Sequence, residues 1–151
     1  MATYSSSIVT NNAPVPSHGL YNNLKAISAT VSCTAAPSTS DTIQFFTLPK
    51  NAVVMGYKVG ATQMDSNGSP SLAFNIGDAG SATRLFSGVA VGRTSGGSWV
   101  GDTASGATYT GVGYQYTADT QIVAVPSANA ATGAAGTITL VVYYTLAGGA
   151  S

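Results

Sequence analysis

The stretch Ile27-Ser-Ala-Thr-Val-Ser-Cys-Thr-Ala35 alternates apolar side chains with small, mostly hydroxyl-bearing ones without interruption. A period of two residues puts the two kinds of side chain on opposite faces of an extended chain, so the stretch predicts a half-buried β-strand. The same alternation returns near the end of the sequence, where Ile138, Leu140 and Val142 face one way and Thr139 the other. The fold is therefore expected to consist of sheets that each bury one face.

Further strands are predicted wherever apolar runs are bounded by turn-forming Gly, Pro, Asn or Asp. These runs span residues 42–48, 52–62, 72–76, 83–91, 108–116, 120–125 and 137–146, and the glycine-rich segment 92–106 is predicted to be a loop. The side chains expected on one face of the run 52–62 are Val53, Met55, Tyr57 and Val59.

About eight strands at regular spacing, with no helical period, predict an all-β fold. The expected architecture is an antiparallel β-sandwich with jelly-roll topology, the common solution for eight strands in two sheets. An immunoglobulin-like sandwich is the alternative, and the chain lacks the Cys-Trp-Cys pattern that typifies it. The one cysteine, Cys33, excludes an intrachain disulfide and is expected to be a buried apolar residue.

The first 24 residues differ from the rest, because Ser, Asn and Pro interrupt every periodic pattern there. Such a segment cannot build a core, so residues 1–24 are predicted to be an extended N-terminal arm and residues 25–148 the sandwich domain. A frayed tail and an arm that docks onto a neighbouring subunit both fit this composition. The apolar residues that a docked arm would insert are Ile8, Val9, Val15, Leu20 and Tyr21.

The composition argues against catalysis. The chain contains no Glu, five Asp, five basic residues and one histidine, with a formal net charge of zero. Active sites need titratable groups gathered in one place, so we predict no enzyme activity and no catalytic, metal-binding or cofactor-binding residues. The turn at Asp65 resembles a calcium loop only superficially, since Pro70 replaces the required glycine and no Glu closes it. His18 has no partner at ligand spacing.

No clustered basic face indicates nucleic acid as a partner, and no apolar run is long enough to span a membrane. The N-terminal residues lack the features of a secretory signal, so synthesis in a host cytoplasm is expected. A net charge near zero promotes association. We therefore predict a homo-oligomer, with a trimer favoured over a dimer.

Trp99, in the segment Gly96-Gly-Ser-Trp-Val-Gly101, is the most ambiguous residue. It is either an exposed platform for a sugar or a partner, or a plug that closes one end of the sandwich, and the plug is the preferred interpretation. The tyrosines have two readings as well: an interface rim or ordinary half-buried strand residues. The interface candidates outside the arm are Trp99, Tyr109, Tyr114, Tyr116 and Tyr143.

Four segments carry a resemblance to a known family. The runs 43–54, 64–78, 111–120 and 136–144 resemble decoration (cement) proteins of tailed bacteriophages, of the β-sandwich or jelly-roll type. The resemblance implies a virion structural protein that binds the capsid exterior, with the major capsid protein as partner, and stabilises the shell by bridging capsomers. The alternative is a receptor- or glycan-binding module such as a tail-fibre tip, which would use Trp99 and the tyrosines as stacking platforms.

Overall fold

The computed structural model describes residues 1–11, 23–103 and 106–148. This part of the chain is almost entirely β-structure, with one four-residue helical turn, α1 (Ser7–Thr10), and one 3-10 turn, Tyr109–Gly111. Neither is long enough to cross a membrane, and no other helix occurs in these ranges. The strands are β1 (Thr3–Ser5), β2 (Lys25–Cys33), β3 (Thr42–Leu48), β4 (Ala52–Ala61), β5 (Ala73–Asp78), β6 (Ser81–Val89), β7 (Ser98–Gly101), β8 (Thr120–Ala128) and β9 (Gly136–Leu146).

The strands form two sheets that pack face to face. The five-stranded sheet has the order β1-β3-β8-β5-β6, and the four-stranded sheet has the order β2-β9-β4-β7. Every strand pair is antiparallel except β1 with β3, which is parallel. The predicted all-β antiparallel sandwich is confirmed.

The alternation of the opening stretch is what builds the core. Ile27, Ala29, Val31 and Cys33 of β2 are buried, whereas the residues between them are exposed. Ala35 lies beyond the end of the strand and is exposed. Burial raises the pKa of the Cys33 thiol to about 11, with a smaller contribution from the negative charge of Asp41. Cys33 is thus the buried apolar residue that the sequence predicts, since its thiol stays protonated at neutral pH.

The face predicted for β4 is wrong in its first half. Ala52 and Val54 are buried, while Met55 is 51% exposed. The register of β4 against β9 shifts between Val54 and Gly56, which is a β-bulge. A bulge inserts one extra residue and so moves the following side chains to the other face. Tyr57 and Val59 point into the core for that reason, so, contrary to the prediction, they do not share a face with Met55.

The first eleven residues lie against the sandwich of their own chain. Strand β1 pairs with β3, and its polar groups continue the ladder, because Thr42 N–H donates to Ala2 O (3.1 Å) and Ser6 N–H to Gln44 O (2.9 Å). Tyr4 and Ile8 pack against the core. Ile8 thus packs within its own chain, and its contact with a neighbouring subunit stays a prediction. Val9 is half-buried, and α1 makes this part less extended than predicted.

The remaining arm residues named above, Val15, His18, Leu20 and Tyr21, lie outside the described residues. The division of the chain after residue 24 therefore stays a prediction.

The segment 92–116 differs most from its predicted structure. The glycine-rich loop contains β7, which pairs with the end of β4. The predicted strand 108–116 begins instead with the 3-10 turn and then runs along the start of β4, where Gly113 N–H donates to Val54 O (2.7 Å) and Tyr116 N–H to Ala52 O (2.9 Å). Gly111, the last residue of this turn, lies so close to Arg84 and Leu85 that a Cβ there would collide with both.

Candidate functional site

The outer face of the four-stranded sheet carries the small polar side chains that alternate with the core. Its strand register aligns four residues in one row across the sheet, Thr30 opposite Thr139, Thr139 opposite Gly60, and Gly60 opposite Trp99. The hydroxyls of Thr30 and Thr139 are hydrogen-bonded at 2.7 Å. This row, and the groove beside its last two members, is the candidate functional site.

Trp99 is an exposed platform, so the preferred interpretation of a plug is wrong. Its residue surface is 59% exposed. The reason lies in the strand alternation of β7, because Val100 packs against the core and Trp99 must therefore face outward. The segment was predicted to be a loop, for which no alternation of faces is expected.

The indole of Trp99 rests flat on Gly60. A Cβ placed on Gly60 would approach three atoms at the centre of the indole, Cδ2, Cε2 and Cε3, at 2.4, 2.6 and 2.7 Å. Three such similar distances to central ring atoms mean that the ring face, and not its edge, covers Gly60. Only glycine leaves room for this contact. The opposite face of the indole is directed away from the sheet.

A shallow groove of about 250 Å³ lies beside the indole. Its lining is uncharged and consists of glycine, alanine and hydroxyl residues around the single aromatic ring. The lining residues are Gly60, Ala61, Thr62, Gly96, Gly97, Ser98, Trp99, Thr137 and Thr139. Lys58 Nζ lies 5.2 Å from the ring centroid, a cation–π contact. Gly60 and Lys58 were missed by sequence analysis, and only the pairing of β4 with β7 reveals them.

The predicted tyrosine interface is not one surface. Tyr116 is only 3% exposed, and its hydroxyl donates to Oδ2 of Asp78 at 3.1 Å. Burial, followed by the negative charge of Asp78, raises the pKa of Tyr116 far above its usual range. Tyr116 therefore belongs to the core, and its assignment to an interface is wrong. Tyr114 packs edge-on against Tyr116 and is partly exposed, with the Arg84 guanidinium 3.6 Å above its ring.

The other two tyrosines lie apart from that pair. Tyr143 is half-buried on β9, where it faces away from the core, while Tyr144 beside it is fully buried. The side chain of Tyr109 is outside what the structure describes. The candidates Trp99 and Tyr143 thus share the four-stranded sheet, whereas Tyr114 lies over Arg84.

The buried carboxylates serve the backbone. Asp65 is fully buried, and its two oxygens accept hydrogen bonds from the backbone N–H groups of Asn67, Ser71, Leu72, Ala131 and Thr132. Burial alone would raise the pKa of Asp65, but these donors outweigh it and hold the pKa far below its usual range. The carboxylate is thus engaged by N–H donors, which a cation would have to displace.

Asp78 and Arg84 form the one ion pair found within residues 1–11, 23–103 and 106–148. Burial again opposes the charge of Asp78, and the hydrogen bond from Arg84 is the largest of the contacts that keep its pKa below the ordinary value. The same ranges contain no group of three His, Cys, Asp or Glu side chains that would hold a metal ion. Asp78 and Arg84, like Asp65, therefore support the fold.

No family model and no curated protein matches the sequence. A chain of the cyanophage Pam1 capsid asymmetric unit matches with 34% identity and a TM-score of 0.72, over 89% of this chain and 92% of that one. This chain belongs to a family of bacteriophage capsid proteins.

A second match supports the same fold. A chain of the capsid of Ralstonia phage GP4 superposes with a TM-score of 0.77 and 21% identity, over 97% of this chain and 99% of that one. At that identity the likeness concerns the fold alone. The Pam1 match makes this member of the family a virion structural protein, and both matches agree with its all-β sandwich fold.

Proposed function

We propose that this virion protein is a decoration (cement) protein, which binds the outside of the phage shell and stabilises it by bridging capsomers. The observation that carries the proposal is the match to a phage capsid chain over nearly the full length of both proteins. The protein is a small sandwich whose buried carboxylates accept hydrogen bonds from its own backbone. Such an arrangement fits binding to the shell better than catalysis. We accordingly propose that it has no catalytic activity.

The strand order supports assignment of the fold as a jelly roll. Counting β2 to β9, consecutive strands cross from one sheet to the other at every step except the β5–β6 hairpin. The four-stranded sheet then contains the first, eighth, third and sixth of these strands, and the other sheet the second, seventh, fourth and fifth. This is the arrangement of two Greek keys wrapped into a sandwich.

The expected partners are the major capsid protein and further copies of this chain, with a trimer favoured over a dimer. Few charges interrupt the surface, since charged residues make up 7% of the sequence. A neutral contact surface loses little hydration energy on burial, so wide apolar and hydroxyl contacts give net affinity at about 25 cal/mol per Å² of apolar area before association costs. Synthesis in the host cytoplasm and a place on the capsid exterior follow from the same proposal.

The alternative of a receptor- or glycan-binding tail-fibre tip rests on Trp99. Its exposed indole has the form of a stacking platform. The matched chains come from capsids, which favours a position on the head over one on the tail.

The proposal is tested on phage heads that lack this chain. Heads assembled after deletion of its gene are expected to release DNA at a lower temperature than complete heads. Adding the purified, folded protein should restore the release temperature, and electron microscopy should find new density on the outer surface. A sample of the same protein unfolded by heat is the control and should restore nothing. Absence of binding to the heads, or density on the inner surface or on the tail, would contradict the proposal.

A further inference from the structure

We propose that the groove between Trp99 and Thr139 binds a pyranose ring of a polysaccharide. The inference goes beyond the decoration role and does not depend on it, because it rests on the chemistry of the groove alone. The groove offers one flat aromatic ring and, beside it on the same sheet, a row of hydroxyl groups. A pyranose has the complementary pair of surfaces, a flat array of C–H bonds and a rim of hydroxyls.

The aromatic part of the site is already fixed in position. Gly60 supports one face of the Trp99 indole, while the residue surface remains 59% exposed and Lys58 Nζ lies 5.2 Å from the ring centroid. The face of an aromatic ring carries negative charge density, which attracts the weakly positive hydrogens of C–H bonds. Because β7 and β4 hold the indole on the sheet, a sugar would stack on it without first having to order the side chain.

The hydroxyl groups are also held by the sheet. Thr62 Oγ1 accepts a hydrogen bond from Thr137 N–H at 2.8 Å, and Thr139 Oγ1 is paired with Thr30 Oγ1 at 2.7 Å. A hydroxyl carries one donor and two acceptor positions, so each of these groups keeps capacity for a ligand. The groove volume of about 250 Å³ lies below the range of about 300–1,000 Å³ typical of sites for drug-sized ligands, and it suits one sugar ring.

The surroundings of Trp99 favour a sugar over a protein partner. A tryptophan that anchors a protein interface is normally encircled by contacts that exclude water. Here the neighbours are Gly96, Gly97 and the threonines, and no second apolar side chain lines the groove beyond Ala61. An isolated ring among hydroxyls offers a protein little apolar area to bury. It offers a sugar both stacking on the indole and hydrogen bonds to hydroxyl groups.

The test uses Trp99 as its own reporter, because it is the only tryptophan in the sequence. The full protein is titrated with cellohexaose and with oligosaccharides released from the host cell envelope, and indole fluorescence is followed. We expect a saturable change with at least one of these probes, and none with sorbitol, which has the hydroxyls but no ring. Calorimetry should show binding lost in Trp99→Ala and weakened about three- to ten-fold in Thr139→Val, the effect of losing one hydrogen bond.

The matched control is Met55→Ala. Met55 is also an exposed apolar residue, but it lies on β4 outside the groove, so this variant should bind like the parent. Unchanged melting temperatures of the Trp99 and Thr139 variants show that the loss of binding is local. No fluorescence change with any saccharide, or equal binding by Trp99→Ala, would overturn the proposal. A change of Trp99 fluorescence on simple dilution of the protein would also overturn it, since a second copy of the chain would then cover the ring. Head stability is measured separately, so the two proposals fail independently.

Discussion

The Tyr116 hydroxyl donates to Oδ2 of Asp78 at 3.1 Å across 38 residues of sequence. The same carboxylate oxygen accepts a hydrogen bond from Arg84 Nε at 2.5 Å, and the Arg84 guanidinium stacks on the ring of Tyr114. These contacts tie the segment that follows the 3-10 turn to the hairpin of β5 and β6. The arrangement closes one side of the sandwich with a small polar cluster.

Arg84→Met should lower the free energy of unfolding by about 3–5 kcal/mol, because it leaves the buried Asp78 carboxylate without its ionic partner. Urea unfolding followed by far-ultraviolet circular dichroism measures the change. Lys50→Met is the matched control, since Lys50 is exposed and should change stability by less than about 0.5 kcal/mol. Equal stability of the two variants would show that the cluster does not support the fold.

Asp65→Asn should lower the melting temperature at pH 7, since the amide offers one acceptor oxygen where the carboxylate bonds five N–H groups with two. Asp119→Asn, at an exposed site, is the control and should have a much smaller effect.

The same carboxylate predicts a pH dependence. The pKa of Asp65 is lowered from its ordinary value of 3.8, so the folded state binds the proton less readily than the unfolded state does. The contribution of the Asp65 carboxylate to the free energy of unfolding is then complete above about pH 4 and is lost as the pH falls further. Melting curves from pH 7 to pH 2 should therefore drop less steeply below pH 4 for Asp65→Asn than for the parent. A parallel drop in both would contradict this assignment.

Gly77→Ala should destabilise the protein by at least about 1–3 kcal/mol, because the added Cβ would lie 2.1 Å from the carbonyl oxygen of Ser81 in the neighbouring strand. Backbone cannot rotate away as a side chain does, so β5 and β6 would have to separate. Gly68→Ala is the control, since a Cβ there meets nothing within 4 Å. Thermal unfolding of the two variants compares them directly, and a Gly77→Ala protein as stable as Gly68→Ala would refute the close approach.

Ser98→Ala should stabilise the protein by about 1 kcal/mol. The Ser98 hydroxyl is the one buried side-chain polar atom without a hydrogen-bond partner in the described ranges. Removing an unsatisfied buried hydroxyl removes its desolvation cost. Ser28→Ala, at an exposed position of β2, should leave stability nearly unchanged. A loss of stability in Ser98→Ala would mean that the hydroxyl is satisfied in solution.

The parts of the fold that sequence analysis predicted are those where a simple alternation holds along a whole strand. Strands β2 and β9 are of this kind, and they pair over nine consecutive residues. Met55 was assigned to the wrong face because a bulge adds one residue without leaving a mark in the sequence. The short β7 was hidden by the glycines around it, and a four-residue strand carries too little pattern to be recognised.

Of the candidate site, the sequence identified Trp99 but not the surface around it. Trp99 was singled out because tryptophan is enriched at binding hot spots, but its exposure depends on Val100 taking the inward position. Gly60 lies 39 residues earlier, and nothing local links it to Trp99. Tyr116 was misjudged because its partner, Asp78, is equally remote. Both errors come from contacts between strands whose pairing the sequence does not state.

The scarcity of charge has a consequence for the conditions that the protein tolerates. The one ion pair of the described ranges is buried, and buried pairs are shielded little by dissolved ions. Few exposed charges remain whose mutual attraction or repulsion ionic strength would alter. The free energy of unfolding should therefore be nearly the same in dilute buffer as in brine, apart from any salting-out effect. A virion protein of this composition can keep one shape while the water around the particle changes from fresh to saline.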